Sequence, residues 1–469
     1  MNKFHVKDVD IVLANDVAFR SKNCPILMNP EIAVVTRSRA NVGNAAESTT
    51  DVDLMSLSTN VSDPKSIITE DHVKKALIAN KGIQAVLKSW KVADFTKRGD
   101  NYACEVTSVE VKYSLNDKEE CEVTYVVKLN PHRNFGDFQE VAPFFFEKEG
   151  KFYEELVPAL NEALMSAGQK PLPFAKCFLV SLEEGKEQLY FEDLRARGFK
   201  MFDRRKGMDK YHVALVISEL ARLHGASYLL TKKVLKGESA GGRYEFITKD
   251  LLDFTPNTKE LFLSWIERGV DTGEYKVQDS TAYAMGDCWN NNLLFRYNAE
   301  GRPMEVMLLD LQLCREASAA SDLNYLLCTS VNGDVRKPNL RHFLSLYHST
   351  YKEVLEGGDM PMHFTIEELV EEYRDKNKFG LLFALVIIPM MLTEPEEVPE
   401  MSDTDIETLM NDFRAIALDK LKTNPCLNLA SCQFLTSLWK QASSHDFYYR
   451  PDSIPSMNDP RKIWRAKSV

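Results

Sequence analysis

Residues 106–129 carry two runs, VTSVEVKY and CEVTYVVKL, in which β-branched and aromatic residues alternate with polar ones. The turn-prone segment SLNDKEE separates them, a pattern typical of two antiparallel strands joined as a hairpin. The stretch FLVSLEEGKEQLYFEDL, which ends at Leu194, favours a second hairpin. Beyond it the apolar spacing becomes helical, as in VALVISELARLHGASYLL. This order of patterns predicts an α+β fold in which a small β-sheet half precedes a larger, mainly helical half.

The charge and the cysteine content indicate which partners and which cellular compartment to expect. The formal net charge of the 469 residues is −11, which argues against nucleic acid or an anionic membrane as the main partner, because both require a basic face. The nine cysteines include no C-x-x-C pair, and the N-terminus lacks a sustained apolar segment. We therefore expect a cytoplasmic protein from a reducing compartment. No protein partner is evident.

The longest apolar run is FGLLFALVIIPMML, residues 379–392. It is shorter than the roughly 20 residues that a membrane-spanning helix needs, and it contains Pro389. The run predicts a buried helix of a large core.

The two ends of the chain differ in character from its middle. Residues 1–63 are poor in aromatic residues and contain the polar stretch NVGNAAESTTDVDLMS, so we expect a disordered N-terminal extension. From Thr69 apolar residues recur at helical spacing, which predicts helix up to a break near Gly99. We place the sheet half at 64–194, the helical half at 195–425 and a C-terminal tail at 426–469.

The segment PFFFEKEGKFYEELVPAL, residues 143–160, places Glu149 on the same helical face as several aromatic residues. A buried acid needs a partner, and Lys128, which follows two valines in the strand run YVVKL, is the obvious candidate. Alternatively, Glu149 lies at the edge of the stripe and reaches water. The sequence leaves both placements open.

Two segments near residue 300 put three oxygen-bearing side chains at the edges of apolar runs. AMGDCWNNNLLF holds Asp287 five residues before Asn292, and the apolar run of MLLDLQ ends on Asp310. The pattern between them predicts a hairpin centred near Gly301, whose register sets Asn292 opposite residues 309 and 310. Two hard oxygen ligands at one point suit Mg²⁺, and Asp287 is close enough to accept a proton from a hydroxyl held there. Taken singly, each residue could be an ordinary loop residue or strand terminator.

Two further residues carry a weaker signal. The loop RGDNYAC, residues 98–104, has one glycine and the turn residue Asn101, so it could lie over a phosphate or form a plain surface turn. His224, within the helical pattern, is more typical of a core histidine with satisfied hydrogen bonds than of a catalyst.

Taken together, these segments resemble the ecdysteroid kinase-like family, within the larger group of aminoglycoside phosphotransferase and choline kinase folds. MGDCWNNNLLFRY and LLDLQ are similar to the H-G-D-x-W-x-N-N and I-D-F-Q segments of the family. The similarity covers roughly residues 70–420 and includes GDNYAC, YVVKL, EGKFYEELVP, FEDLRARGF, ELARLHGAS and ASDLNYLL. It implies a two-lobed protein kinase-like fold, ATP and Mg²⁺ as cofactors, and phosphorylation of a hydroxyl on a small-molecule alcohol such as an ecdysteroid-like steroid.

The resemblance also implies roles in chemistry and metal binding. Asp287 matches the catalytic base, and Asn292 and Asp310 match the metal ligands. Asp322 matches a structural aspartate that supports the catalytic loop. Asp193 matches a hinge residue that shapes the chain and does no chemistry.

A second set of matching residues is implied to bind the nucleotide. Lys128 matches the lysine that grips the phosphates, and Glu149 the acid that holds this lysine. Asn101 belongs to the matching phosphate loop. Glu192 and Leu194 lie in the hinge, whose backbone meets adenine.

The chain departs from the family pattern at three positions. Met285 replaces the histidine of H-G-D, Leu311 the phenylalanine of I-D-F-Q, and Cys104 a serine common in the phosphate loop. A thioether cannot make the hydrogen bonds of histidine, so we expect the loop that carries Asp287 to be less firmly held. An active kinase is the expected function. The alternative is a catalytically impaired kinase-like protein that binds a small molecule or a nucleotide.

Overall fold

The computed structural model describes two short strands near the start of the chain and most of the chain between residues 64 and 397. The described residues are 4–6, 9–11, 64–95, 104–116, 120–131, 136–236, 240–249, 281–397, 412, 415, 416 and 419.

The chain divides into two compact units, Met1–Val61 and Ser62–Val469. In the first unit, β1 (Phe4–Val6) and β2 (Val9–Ile11) pair antiparallel. The rest of the predicted disordered extension, and the predicted tail, lie outside the described residues.

The described part of the second unit opens with a helix that ends earlier than predicted. α1 (Glu70–Lys81) begins after Thr69, whose hydroxyl accepts a backbone N–H of the first turn at 3.3 Å. Gly82, with φ of +89°, ends the helix by donating its N–H to a carbonyl of the last turn. The prediction of helix as far as Gly99 is therefore wrong. The chain continues as β3 (Ala85–Asp94), whose β-branched and aromatic side chains suit a strand.

Five antiparallel strands form the sheet of this half, in the order β3–β4–β5–β7–β6. After β3 they are β4 (Glu105–Leu115), β5 (Glu120–Leu129), β6 (Cys177–Ser181) and β7 (Gln188–Glu192). Both hairpins predicted for this half are confirmed. One face of the sheet packs with α1 around an apolar core that includes Val109, Val111, Tyr125, Val127 and Tyr190.

A long helical segment packs against the opposite side of the sheet. α2 (Gly136–Lys151) runs into a π-helical turn at Phe152–Leu156 and then into α3 (Val157–Ser166). Gly150 allows α2 to approach β6 closely, because a Cβ at this position would lie 2.6 Å from a valine side chain of that strand. The close approach fixes the height of Glu149 above the sheet.

The second half is mainly helical. Within its described residues the α-helices are α4 (Lys210–Leu229), α5 (Ala240–Arg243), α6 (Ala319–Thr329), α7 (Gly333–Gly357), α8 (Ile366–Asp375) and α9 (Asn377–Leu392). A large apolar core runs through this half and reaches the α2–α3 side of the sheet. The α+β architecture, with a small sheet lobe before a larger helical lobe, is confirmed. The borders placed at 194 and 425 stay predictions.

Short strands frame the loops between these helices. They are β8 (Lys200–Met201), β9 (Thr281–Ala284), β10 (Leu293–Tyr297), β11 (Pro303–Leu308) and β12 (Arg315–Ser318). β10 pairs antiparallel with β11 and with β8, and β9 pairs antiparallel with β12. The hairpin predicted around Gly301 is therefore confirmed.

Two helices of this half are strongly apolar. The segment Lys210–Val234 is long and apolar enough to cross a membrane, but 78% of its most apolar window is buried inside the protein, as expected of a core helix. The run 379–392 lies within α9, and its described side chains are buried or half-buried. Both helices pack as parts of the folded core.

Candidate active site

Lys128 and Glu149 form a buried ion pair between β5 and α2. The Lys128 Nζ lies 2.6 Å from Glu149 Oε2 and 3.0 Å from Asp310 Oδ1. Burial alone would lower the pKa of Lys128, but the carboxylates of Asp310 and Glu149 outweigh it and raise this pKa well above its ordinary value. Glu149 is only 3% exposed, so of the two placements that the sequence left open, the structure has the paired one.

Glu149 also contacts the helical half. Its Oε1 accepts the backbone N–H of Leu311 at 3.3 Å, so this one carboxylate joins Lys128 to the segment that follows β11. Asp310, immediately before, has φ of +62°, a left-handed conformation that aspartate tolerates better than most residues. The chain therefore turns sharply at the residue that meets Lys128.

The β10–β11 hairpin places Asn292 opposite the start of this turn, as the sequence predicts. Leu293 pairs with Leu308, and Leu309 donates its N–H to the carbonyl of Asn292 at 2.9 Å. Asn292 and Asp310 both line the same cavity, together with Lys128 and Glu149.

Asp287 is held from both sides of its carboxylate. Asn292 Nδ2 donates to Asp287 Oδ2 at 2.9 Å, and the Tyr325 hydroxyl donates to Asp287 Oδ1 at 2.5 Å. Burial, and then the nearby charge of Asp310, raise the pKa of Asp287 to about 6, although the bonds from Tyr325 and Asn292 oppose this shift. The carboxyl group is therefore mainly ionised at neutral pH and becomes protonated at a higher pH than an ordinary aspartate.

The turn that carries Asp287 is fixed by Asp322 of α6. Asp322 Oδ2 accepts the N–H of Met285 at 2.7 Å, and Oδ1 accepts the N–H of Gly286 at 3.0 Å. His224 lies 3.1 Å from Asp322 Oδ2 through its Nε2. The role of Asp322 as a support of this loop agrees with these contacts. The support acts on the backbone, whatever side chain stands at position 285.

His224 and two departures from the family pattern, Met285 and Leu311, are all buried. His224 is fully buried, and its Nδ1 lies 2.9 Å from the Tyr347 hydroxyl, so both ring nitrogens have partners, as expected of a core histidine. Met285 and Leu311 are fully buried within the large apolar core. Their side chains fill core volume and leave the polar groups of the site in place.

Tyr325 is the residue of this site that sequence reasoning missed. It follows Asp322 by three residues in ASDLNYLL, so both lie on one face of α6, the face that meets the Asp287 loop. That spacing was the available signal. It is weak, because a tyrosine in an apolar helix is ordinarily a core residue.

The donor set around Asp310 fits a small hard cation. The amide nitrogen of Asn292 is used by Asp287, through bonds to its carbonyl and to Oδ2, which leaves the side-chain oxygen of Asn292 as a donor. Asp310 pairs with Lys128 through Oδ1, which leaves Oδ2. Two protein oxygens match Mg²⁺, which fills the rest of its shell with water and phosphate. Among the described residues, no cluster of three or more acids, histidines or cysteines forms an all-protein metal site.

The cavity has a volume of about 350 Å³ and lies where the sheet half, the linker and the β10–β11 hairpin meet. Its walls combine charged and apolar side chains. The charged residues are Lys128, Glu149, Glu192, Asp193, Arg195, Lys200 and Asp310, and the apolar ones include Val106, Val126, Leu294 and Leu309. Such a cavity suits a ligand that has a flat apolar part and an anionic part.

The linker that follows β7 forms one edge of the cavity, through Glu192, Asp193 and Leu194. The Glu192 carboxylate accepts the N–H of Lys176 at 3.0 Å, and Asp193 pairs with Arg195 at 2.8 Å and caps the short helix Leu194–Arg197. These bonds hold the linker in one shape, as expected of Asp193.

The phosphate loop is the one part of the predicted site without a description. Asn101 and the rest of residues 98–103 lie outside the described residues, so its contribution stays a prediction. Cys104, at the end of the loop, is buried beside β4.

An apolar wall stands on the far side of Asp287. Trp289, Tyr325, Ile387 and Met391 form a buried cluster with half-buried residues of α9, and the Tyr325 ring lies 4.7 Å from that of Phe383. The carboxylate of Asp287 therefore lies between the charged cavity and an aromatic surface.

A model of the ecdysteroid kinase-like family matches residues 98–245 and 238–357, which together span more than half of the chain. The chain belongs to the ecdysteroid kinase-like family. The matched ranges contain Lys128, Glu149, Asp287, Asn292 and Asp310, so every charged contact described above falls within the segment shared with the ecdysteroid kinase-like family. Membership supports a phosphotransferase that acts on small molecules.

Other comparisons add little to this assignment. A comparison with curated proteins found no match. One similar solved structure is a GDP complex of a mutant aminoglycoside 2′-phosphotransferase-IIIa, at 10% identity, with 76% of this chain and 98% of that chain covered and a TM-score of 0.37. At this TM-score the similarity carries no conclusion about ligand or activity.

Proposed function

We propose that this protein is an ATP- and Mg²⁺-dependent kinase that transfers the γ-phosphate to a hydroxyl of a small-molecule alcohol. The observation that supports it best is that two constellations adjoin, one lining the cavity and the other connected to it through Asn292. Lys128, Glu149 and Asp310 form the first, and Asp287 with Asn292 forms the second. Phosphoryl transfer needs this combination of a phosphate-binding cation, metal-binding oxygens and a carboxylate that orients the acceptor.

The nucleotide occupies the cavity with its base towards the linker. The apolar side chains of β4, β5 and the β10–β11 hairpin contact the two faces of adenine. The Leu194 N–H, at the start of a short helix where backbone donors have no intrahelical partner, is suited to the edge of the base. Glu192 holds the linker in place, and Lys128 binds the phosphates. Asn101 supplies a further contact from the phosphate loop.

Asn292 and Asp310 hold the magnesium ion through the two oxygens described above. When bound, the ion neutralises charge on the phosphates and orients them. Lys128 lies 3.0 Å from Asp310 Oδ1, so the Asp310 carboxylate would serve both the lysine and the ion.

Asp287 orients the acceptor hydroxyl and accepts its proton. The oxygen of the alcohol then forms a bond to the γ-phosphorus as the bond from that phosphorus to the β–γ bridging oxygen breaks. ADP and a phosphate monoester leave, and the proton stays on Asp287 until it passes to water.

The acceptor that best suits the surroundings of Asp287 is an apolar alcohol, such as an ecdysteroid-like steroid. The aromatic cluster of Trp289, Tyr325 and the half-buried Phe383 lies beside the carboxylate, so the surroundings of Asp287 are apolar. Lipid alcohols and apolar xenobiotic alcohols or glycosides share this chemistry, so a panel of acceptors distinguishes them.

The cellular setting is part of the proposal. Cys104, Cys121, Cys177, Cys288, Cys314 and Cys328 are free thiols in the described part of the chain, which supports a reducing, cytoplasmic location. Fractionation of cells that express the protein tests it.

The primary test is turnover of ATP with a panel of steroid, lipid and glycoside alcohols, with product masses read for the addition of one phosphate. Asp287→Asn should lower turnover by about 10²–10⁴-fold and leave nucleotide binding intact, because an amide cannot accept the proton. Asp375→Asn, an exposed aspartate at the end of α8, is the matched control and should keep wild-type turnover. Wild-type turnover by Asp287→Asn would show that Asp287 is not the base.

The metal is tested separately by thermal stability. ATP should raise the melting temperature more with Mg²⁺ than with a chelator, and Asp310→Ala should remove that difference, whereas Asp375→Ala should keep it. An equal rise with and without the metal, in a protein that phosphorylates no acceptor, would favour the binding-protein alternative.

A further inference from the structure

Tyr325 is buried like a core tyrosine, but its hydroxyl also contacts Asp287. The side chain is 1% exposed, and its hydroxyl donates to Asp287 Oδ1 at 2.5 Å. Burial and the charge of Asp287 raise the pKa of Tyr325 well above its ordinary value, so the proton stays on the phenol and the tyrosine is the donor.

The hydroxyl completes the restraint on the Asp287 side chain. Asn292 restrains Oδ2 and Tyr325 restrains Oδ1, and a hydrogen bond from the side chain of Trp289 adds to these two. Asn292 and Tyr325 lie on different elements, the start of the β10–β11 hairpin and helix α6. Without Tyr325, Oδ1 would lose this short bond, and the carboxylate would be aligned less firmly.

The ring of Tyr325 belongs to the apolar wall. It lies 4.7 Å from the ring of Phe383 and packs with Trp289, which is two residues from Asp287. One residue therefore contacts both the carboxylate and the aromatic surface beside it. A ring fixed by packing places its hydroxyl with little freedom.

We propose that Tyr325 is a positioning residue that sets the orientation of Asp287 towards the acceptor hydroxyl. This inference rests on the proposed function, because it assigns a partner to the proposed base. In a loose phosphoryl-transfer transition state the carboxylate acts mainly by orienting the hydroxyl, so loss of alignment lowers the rate even if the freed carboxylate becomes more basic.

The test is a double-mutant cycle with Tyr325→Phe and Asp287→Asn, with kcat and the KM for ATP measured for each protein. Tyr325→Phe keeps the ring and removes only the hydroxyl. We expect kcat to fall by at least about tenfold with the KM for ATP unchanged, since a hydrogen bond to a charged group is lost. In the Asp287→Asn background the same substitution should have almost no further effect.

The matched control is Tyr283→Phe. Tyr283 is also buried, and its hydroxyl lies 3.1 Å from that of Thr231, away from the residues that line the cavity. It should lose stability comparably and keep its kcat. If Tyr325→Phe does not fold, a variant with p-aminophenylalanine at position 325 retains a donor and the ring, and it should keep kcat within a few-fold.

The outcomes separate the two hypotheses. If Tyr325→Phe lowers kcat by the same factor in the wild-type and Asp287→Asn backgrounds, the positioning role is overturned, because the tyrosine would then act independently of Asp287. A wild-type kcat for Tyr325→Phe, or a low kcat for the folded p-aminophenylalanine variant, would overturn it as well. Wild-type turnover by Asp287→Asn would instead refute the proposed function itself.

Discussion

Gly286, between Met285 and Asp287, is a position where adding one methyl group should disable the site. Its φ is +84°, and an added Cβ would lie 2.0 Å from the carbonyl oxygen of Leu313. Contacts under 3.0 Å require movement, and here the obstacle is backbone. Gly286→Ala should therefore displace the loop that carries Asp287.

The size of the effect follows from two contributions. A left-handed conformation costs alanine about 1–2 kcal/mol. Displacing the loop breaks at least one of the bonds from the Met285 and Gly286 N–H groups to Asp322, and a hydrogen bond to a charged group contributes roughly 1.5–3 kcal/mol. We expect a loss of about 4 kcal/mol in the free energy of unfolding, or a fall of roughly 5 °C in the melting temperature of a chain of this size.

Gly301→Ala is the control for this prediction. Gly301 has φ of +75° in the β10–β11 turn, and an added Cβ would meet nothing within 4 Å. Gly301→Ala should lower the free energy of unfolding only by the cost of the left-handed conformation for alanine, about 1–2 kcal/mol. Urea denaturation measures both variants, and phosphoryl transfer to the best acceptor is assayed beside it, where only Gly286→Ala should lose activity. Equal stability losses with full activity in both would refute this account of Gly286.

The remaining predictions concern charge and packing. Because the pKa of Asp287 is raised to about 6 and only the ionised form accepts a proton, kcat/KM should be level above that pH and fall about tenfold per pH unit below it, and a flat profile from pH 5 to 8 would contradict this assignment. Glu149→Gln should weaken ATP binding, measured by calorimetry, by roughly tenfold. Glu147→Gln, which breaks only partly exposed pairs with Lys151 and Lys249, should change it little. Met285→His should lower stability by about 1–3 kcal/mol in urea denaturation without raising kcat, because the site is fully buried and Asp322 already holds the loop; a faster enzyme would show that the loop lacks support.

The sequence predicts the hairpins of this protein well because their evidence is local. The alternation of apolar and polar residues around Val109 and Val127, and the turn near Gly301, can be recognised without information on contacts between distant parts of the chain. The β10–β11 register could then be extended by counting, which brought Asn292 opposite residues 309 and 310. The pairing of Lys128 with Glu149 stayed open, because it depends on how closely α2 approaches the sheet.

The errors and omissions have physical causes. The helix predicted beyond Lys81 is wrong because Val86 and Leu87 fit a helical period as well as a strand, and apolar spacing alone does not show that Gly82 ends the helix. Tyr325 was missed because its partner, Asp287, is 38 residues away in the chain. A pattern within one helix cannot show which face of that helix meets a distant loop.

The carboxylate of Glu149 contacts both halves of the protein at once. It binds Lys128 of the sheet half with one oxygen and the N–H of Leu311 in the helical half with the other, and Lys128 also contacts Asp310. A rotation of α2 that breaks the bond from Glu149 to Lys128 would therefore also disturb the bond from Glu149 to Leu311. Lys128 would keep Asp310 as a partner, so the position of α2 and the pairing of Lys128 with Asp310 are linked through the lysine. A ligand that contacts only Lys128 would then act on the conformation of Asp310 and of helix α2 at the same time.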